Sequence, residues 1–271
     1  MIRGLIGKTV REVWLATLIF AAGMFAFEAV LAWVLMEFHE DLAGQWLQID
    51  FIQKMFKGLV GAEIGDGFNF SHLGVVAWVH PVILALLWSQ AITFCTRVPA
   101  GEIDRGTIDV LLGLPVSRWR VYLCESFVGS ICGGLMVAAG LAGFLVGSMT
   151  IPADSRLDAG HMVVVAVNCG CLCAAVGGLS FLISSVSERR GRAVAVVVGI
   201  VMASFLLNFL AQFSEPARQA SFLSMMTYYK PLLILRDAAW PVRDMVVLAM
   251  MGLATWLAGG VLFSRRDICT T

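Results

Sequence analysis

The sequence predicts an all-α polytopic membrane protein with six transmembrane helices, and three observations carry that prediction. Hydrophobic residues make up 59% of the 271 residues, charged residues only 14%, and the mean hydropathy is +0.85. Soluble domains hold about 25% charged and about 45–50% apolar residues. The apolar residues gather in six blocks, each near the roughly 20 residues that a helix needs to cross a hydrocarbon core of about 30 Å. These blocks are apolar on all sides rather than along one stripe, and none alternates as the strands of a membrane barrel do. Nineteen basic residues balance nineteen acidic ones, so no overall charge draws a polyanion, and nucleic acid is not an expected partner.

The chain reads as one transmembrane domain over 1–271. Ile2, Leu5, Ile6 and Val10 share one side of a short N-terminal helix edged by Arg3, Lys8 and Arg11, which suits a membrane interface. The first span, 13–36, follows; it contains Glu28 and no small-x-small cleavage site, so it reads as an uncleaved helix rather than a signal peptide. In the long loop 37–72, Trp46, Ile49, Ile52, Phe56, Leu59 and Val60 recur at helical spacing, predicting an amphipathic helix over 42–61 that ends among glycines. Further spans are expected at 73–95, 121–147, 161–186, 193–213 and 245–263, with a loop at 148–160. The region 214–244 carries the apolar run 221–235, too short to cross twice. A re-entrant or interfacial segment fits, with Tyr228, Tyr229 and Trp240 at headgroup depth.

Basic residues set the expected orientation. A cytoplasmic N-terminus places Arg3, Lys8, Arg11, Arg97, Arg105, Arg118, Arg120, Arg189, Arg190, Arg192, Arg265 and Arg266 inside. Lys54, Lys57, Arg156, Arg218, Lys230, Arg236 and Arg243 then lie outside. Positive-inside bias favours both termini in the cytoplasm.

Within the spans, Glu28 and Glu125 stand out because a carboxylate in lipid is costly and is a functional candidate. Glu28 is the deeper; Glu125 lies about one turn from Arg120, a candidate partner. Glu28, Asn168 and Asn208 form a candidate pathway set, although inter-helix hydrogen bonding is the plainer reading of the asparagines. Glycine pairs Gly129/Gly133 and Gly143/Gly147 predict close helix packing, within the bundle or across a dimer. Cys169, Cys171 and Cys173 share one span, where small buried packing residues are a better reading than soft-metal ligands. The stretch Gly4–Thr9 resembles the end of a phosphate-binding loop, but Ile2 occupies the first glycine position and no strand precedes it. No cofactor or metal is expected in the chain.

The connection 97–120 is the most informative segment. Ile103, Thr107, Val110 and Leu111 predict a short amphipathic helix flanked by Glu102, Asp104, Arg105 and Asp109, ending near Leu114-Pro115. A lipid-facing linker would carry basic residues without these acids. The helix therefore reads as a surface that presents ionic groups to a partner.

The string Glu102-Ile103-Asp104-Arg105-Gly106-Thr107-Ile108-Asp109, followed by Leu111-Leu112-x-Leu114-Pro115-Val116-Ser117-Arg118, resembles the E-x-x-x-G-T-x-x-x-L-L-x-x-P-V-S-R stretch of ABC type-2 transporter permeases. The six spans, the large first loop, the segment before the last span and the ending Phe263-Ser264-Arg265-Arg266-Asp267-Ile268 agree. The resemblance implies a permease that pairs with itself or a related chain in the inner membrane of a prokaryote. A separate ABC ATPase subunit would bind ATP and magnesium. It implies further that Glu102, Asp104, Arg105, Gly106, Thr107 and Asp109 form a coupling helix for that ATPase, and that the N-terminal helix with Arg3, Lys8 and Arg11 is an interfacial connecting helix. Two other readings stand beside it: an ion- or proton-coupled carrier using Glu28, and a permease serving copper-enzyme maturation.

Overall fold

A computed structural model of the chain describes residues 2–37, 49–60, 70–113, 115–150 and 156–267. Among these residues every regular element is helical, and six helical stretches are long and apolar enough to cross a membrane.

The first helix, α1, runs unbroken over Ile2–Glu37. Its 36 residues span about 54 Å, well beyond a hydrocarbon core of about 30 Å. The expected interfacial segment and first span are thus one continuous element: no proline interrupts 2–37, and Gly4, Gly7 and Gly23 have open space around them. Arg3 and Arg11 are exposed on its first turns. The amphipathic helix expected over 42–61 is seen as α2, Asp50–Val60, with Phe56 buried and Phe51 exposed; 42–48 and 61 lie outside the described residues.

The second span is two helices, α3 (Phe70–Val79) and α4 (Pro81–Cys95). Proline disfavours helical geometry in the residue before it, and His80 is accordingly extended at φ −57°, ψ 130°. The Val82 N–H donates to His80 Nδ1 at 3.3 Å, capping α4 where its proline needs no donor. After a wide turn at Arg97–Gly101 come two short pieces, α5 (Glu102–Asp104) and α6 (Ile108–Leu112).

The remaining spans are α7 (Arg118–Gly147), α8 (Ala159–Val186), α9 (Arg190–Leu210) and α12 (Val242–Arg265). Ser117 accepts from the Arg120 N–H at the start of α7, and Asp158 from the His161 N–H at the start of α8. Each satisfies an orphan donor at a helix start.

The region before α12 is more broken than expected. It holds α10 (Glu215–Ala220), 3-10 turns at Ser221–Leu223 and Met225–Tyr228, and α11 (Pro231–Asp237). The tyrosines do not both lie at a headgroup surface: Tyr229 is buried and its hydroxyl donates to the Trp78 carbonyl at 3.1 Å. Trp240 is exposed.

Two helix pairs pack most closely, α1 with α7 and α8 with α12. Glycine permits both contacts. A Cβ on Gly143 would stand 2.2 Å from the Phe25 carbonyl oxygen, and one on Gly147 2.2 Å from that of Ala29. On the other pair, a Cβ on Gly178 would meet the Gly252 carbonyl oxygen at 2.2 Å. Gly143 and Gly147 therefore serve packing within the chain. Gly129 instead faces the Phe94 ring of α4.

Candidate functional site

The first turns of α1, the end of α12 and the 97–118 connection lie at one end of the bundle. Arg118 donates to the carbonyls of Phe263 and Arg266. Beside them Trp119, Tyr122, Phe181, Trp256 and Phe263 pack edge to face or tilted, and the Tyr122 hydroxyl donates to the Trp256 carbonyl at 2.7 Å. This aromatic cluster ties α7 to the end of α12.

The connection itself is held by charge. Arg97, 7% exposed, donates one terminal nitrogen to Glu12 of α1 and the other to Glu125 of α7. The Thr9 hydroxyl donates to the same Glu125 at 2.6 Å. Glu125 thus pairs with Arg97 rather than with Arg120, which is exposed. Buried charges persist where they are paired and hydrogen-bonded.

Glu102 is the second node. Its carboxylate is buried, accepts from the Thr107 hydroxyl, and stands 3.4 Å from Lys8 Nζ and 3.1 Å from Arg105 Nη2. Burial acts to raise this carboxyl's pKa. The Thr107 hydrogen bond and the Lys8 and Arg105 charges outweigh it, so the group lies below its ordinary value. Further bonds reach α8 and α9: the Ala100 N–H donates to Ser184 Oγ at 3.1 Å, and the Arg190 N–H to Asp104 Oδ2 at 3.2 Å.

Gly106 adopts φ +67°, the left-handed region open to glycine at little cost. That residue divides the expected single helix in two and resets its phase. The buried apolar side chain is Ile108, packed with Val98 and Val121 and flanked by Leu5, Ile103 and Val116. Val110, expected in the apolar stripe, is 77% exposed, and Asp109 is exposed beside it. The side chain of Leu111 and all of Leu114 lie outside the described part.

The structure brings Glu102, Arg105 and Thr107 together with Lys8, sets Asp104 against the start of α9, and leaves Arg3 and Arg11 apart. Thr9, Glu12 and Arg97 complete the network although their sequence context marks them only as charges or polar groups near span ends.

The candidate pathway residues do not converge on one cavity. Glu28 is fully buried and neither carboxyl oxygen has a hydrogen-bond partner. Asn168 holds the segment before α12 at both ends of its amide: it accepts from the Lys230 N–H at 2.9 Å and donates to the Tyr228 carbonyl at 3.4 Å. Asn208 accepts from the Thr227 hydroxyl at 3.3 Å. A groove of about 900 Å³ runs between α4, α7, α8 and α12, lined by Gln90, Ser126, Ser130 and Cys171 among apolar residues. Glu28, Asn168 and Asn208 are not in its wall. Cys169 and Cys173 are buried, and among the described residues no three His, Cys, Asp or Glu side chains converge as metal ligands.

No curated protein and no solved structure matches the chain. A family model described as ABC-2 family transporter protein matches residues 8–268, nearly the whole length. The chain is therefore a multi-pass membrane protein that belongs to the ABC-2 transporter family.

Proposed function

We propose that the chain is the membrane-spanning subunit of an ATP-driven exporter. It works as a dimer with itself or a related permease, in the inner membrane of a prokaryote, with both termini in the cytoplasm. A separate ATPase subunit binds ATP and magnesium and docks on the 97–118 connection.

One observation carries this reading: the connection is bonded to four spans at once. Glu102 and Arg97 engage Lys8 and Glu12 of α1, Arg97 engages Glu125 of α7, Ala100 engages Ser184 of α8, and Asp104 engages the first residue of α9. A push on the connection is therefore passed to α1, α7, α8 and α9 together rather than absorbed by a slack loop. Closure of the ATPase would bias the spans between two arrangements in this way. Val110 and Asp109, exposed on α6, supply an apolar and an anionic contact for the docking partner. The exposed faces of α1 and α9, with Leu15, Leu18, Val198 and Leu206, face lipid or the second permease.

The test is reconstitution of the full chain in vesicles with the ATPase that co-purifies from its native membrane. Proline cannot take the φ of Gly106, so Gly106→Pro distorts the connection. The expected result is loss of ATP-dependent export with normal membrane insertion. Unchanged export, or absence of any ABC ATPase from the purified complex, overturns the reading.

A further inference from the structure

A cleft of about 420 Å³ opens beside the coupling network, between α1, α4 and α9. Its rim is cationic: Arg97, Arg105 and Arg190 all line it. The network also contains Glu12, Glu102, Asp104 and Glu125, but of these four carboxylates Glu12 alone reaches the cleft wall. Below the rim the wall is mixed, with Val13, Ala16, Phe20 and Phe94 forming its apolar part beside Thr17, Gln90 and Thr93. From Glu12 to Phe20 the helix rises about 12 Å, so the cleft runs from the charged end of the bundle into the depth of the hydrocarbon.

Two of the arginines keep donors for a ligand. Arg97 spends its two terminal nitrogens on Glu12 and Glu125 and its Nε is buried, so it contributes charge at the rim rather than a free donor. Arg190 uses one Nη on the Thr93 carbonyl at 2.9 Å, and Arg105 one on Glu102 at 3.1 Å. A guanidinium presents five N–H donors in a planar fork that matches a phosphate bidentately. Arg97 and Arg105 are already paired with carboxylates, whereas the described side-chain bond of Arg190 goes to a backbone carbonyl, so Arg190 is the cation that an entering anion would neutralise.

We propose that this cleft binds the phosphate group of an anionic amphiphile, a membrane lipid whose headgroup sits between Arg105 and Arg190, beside Arg97. One acyl chain lies along Ala16 and Phe20. The polar rim selects the headgroup charge, and the apolar wall separates a lipid from free phosphate. Because Arg97 and Arg105 also belong to the connection, occupancy of the cleft stiffens the same contacts that hold it to α1.

The site is tested with the full chain in non-ionic detergent, by native mass spectrometry. The probes are dioctanoyl phosphatidylglycerol, dioctanoyl phosphatidylcholine and inorganic phosphate. Phosphatidylglycerol is expected to bind at least about tenfold more tightly than phosphatidylcholine, the scale of a charge-assisted bidentate contact. Arg105→Gln with Arg190→Gln removes that preference, whereas Arg192→Gln, an exposed arginine outside the cleft, keeps it. Ala16→Trp, which fills the apolar wall at an exposed position, weakens phosphatidylglycerol as well. Equal binding of the two lipids, or a preference that survives the double variant, overturns the proposal. Inorganic phosphate binding as tightly as the lipid and unaffected by Ala16→Trp also overturns it, by naming the free ion as ligand. Circular dichroism checks that each variant stays helical. No ATPase is needed, so the coupling reading and this one fail separately.

Discussion

Lys8 Nζ stands 3.4 Å from Glu102 Oε1, and this pair joins the first helix to a loop 94 residues further along the chain. The Glu102 side chain is 5% exposed and that of Lys8 43%, so one partner is held in the protein and the other is wet. Screening makes such a half-exposed pair weak as a source of stability. Its value is positional: it fixes which face of α5 lies against α1.

The charge on Glu102 gives a pH prediction. Its carboxyl lies below the ordinary value of 4.5 in the folded chain, so folding favours the ionised form. The stabilisation is then complete above about pH 4.5 and is lost as pH falls through the lower folded value. Thermal unfolding in detergent between pH 6 and pH 3 is expected to show a fall in Tm below pH 4.5 that is smaller in Glu102→Gln. An identical fall in the variant would mean that other acids account for it.

Arg97 predicts a larger and non-additive effect. Replacing it by Met leaves Glu125 buried without its cation, and breaking a buried pair from one side costs about 3–5 kcal/mol. Adding Glu125→Gln removes the stranded charge, so the double variant is expected to recover a large part of that loss. The measurement is a double-mutant cycle on unfolding free energy. Additive losses would show that Arg97 and Glu125 are not energetically paired.

Glycine positions separate into two classes with opposite signs. Gly143→Ala drives a methyl into the Phe25 carbonyl of the neighbouring helix, a backbone atom that cannot swing aside, and is expected to destabilise by about 1–3 kcal/mol. Gly134 and Gly170 have no atom within 4 Å of an added Cβ. Alanine there is expected to be neutral, or stabilising by as much as about 1 kcal/mol through helix propensity. The comparison is a set of melting temperatures in one detergent, with Gly143→Ala the outlier.

The spans were legible because lipid imposes a simple demand, about 20 apolar residues per crossing, and the six blocks meet it. The break of the second span at His80-Pro81 was not expected, since a proline can be accommodated inside a membrane helix. The charge network around Arg97 was less legible, since Arg97 finds its partners 85 and 28 residues away. Pairing them needs the rotation of three helices, which local pattern does not encode. Val110 shows a second kind of limit. Continuous helical spacing from Ile103 points it at the bundle, but the φ of +67° at Gly106 shifts the phase and buries Ile108 instead. Asn168 and Asn208 were visible as polar residues in lipid, yet only the contacts to Tyr228, Lys230 and Thr227 give them their packing role.

Glu28 separates the two readings of transport. Its carboxyl is fully buried near Met24 and Gly140, and both oxygens lack partners, so it contributes nothing that a hydrogen bond would explain. An unsatisfied buried polar group costs about 1–3 kcal/mol. Glu28→Met, of similar length and apolar, is expected to raise stability by an amount of that order. In an ATP-driven exporter worked through the 97–118 connection, the same variant keeps ATP-dependent export, because it leaves Glu12, Arg97, Glu102 and Glu125 untouched. A proton- or cation-coupled carrier behaves in the opposite way, since replacing the one unpaired intramembrane carboxyl among the described residues removes its coupling group. Measuring export and Tm on the same preparation decides it: a more stable Glu28→Met chain that no longer transports would assign the coupling to Glu28 instead of the loop.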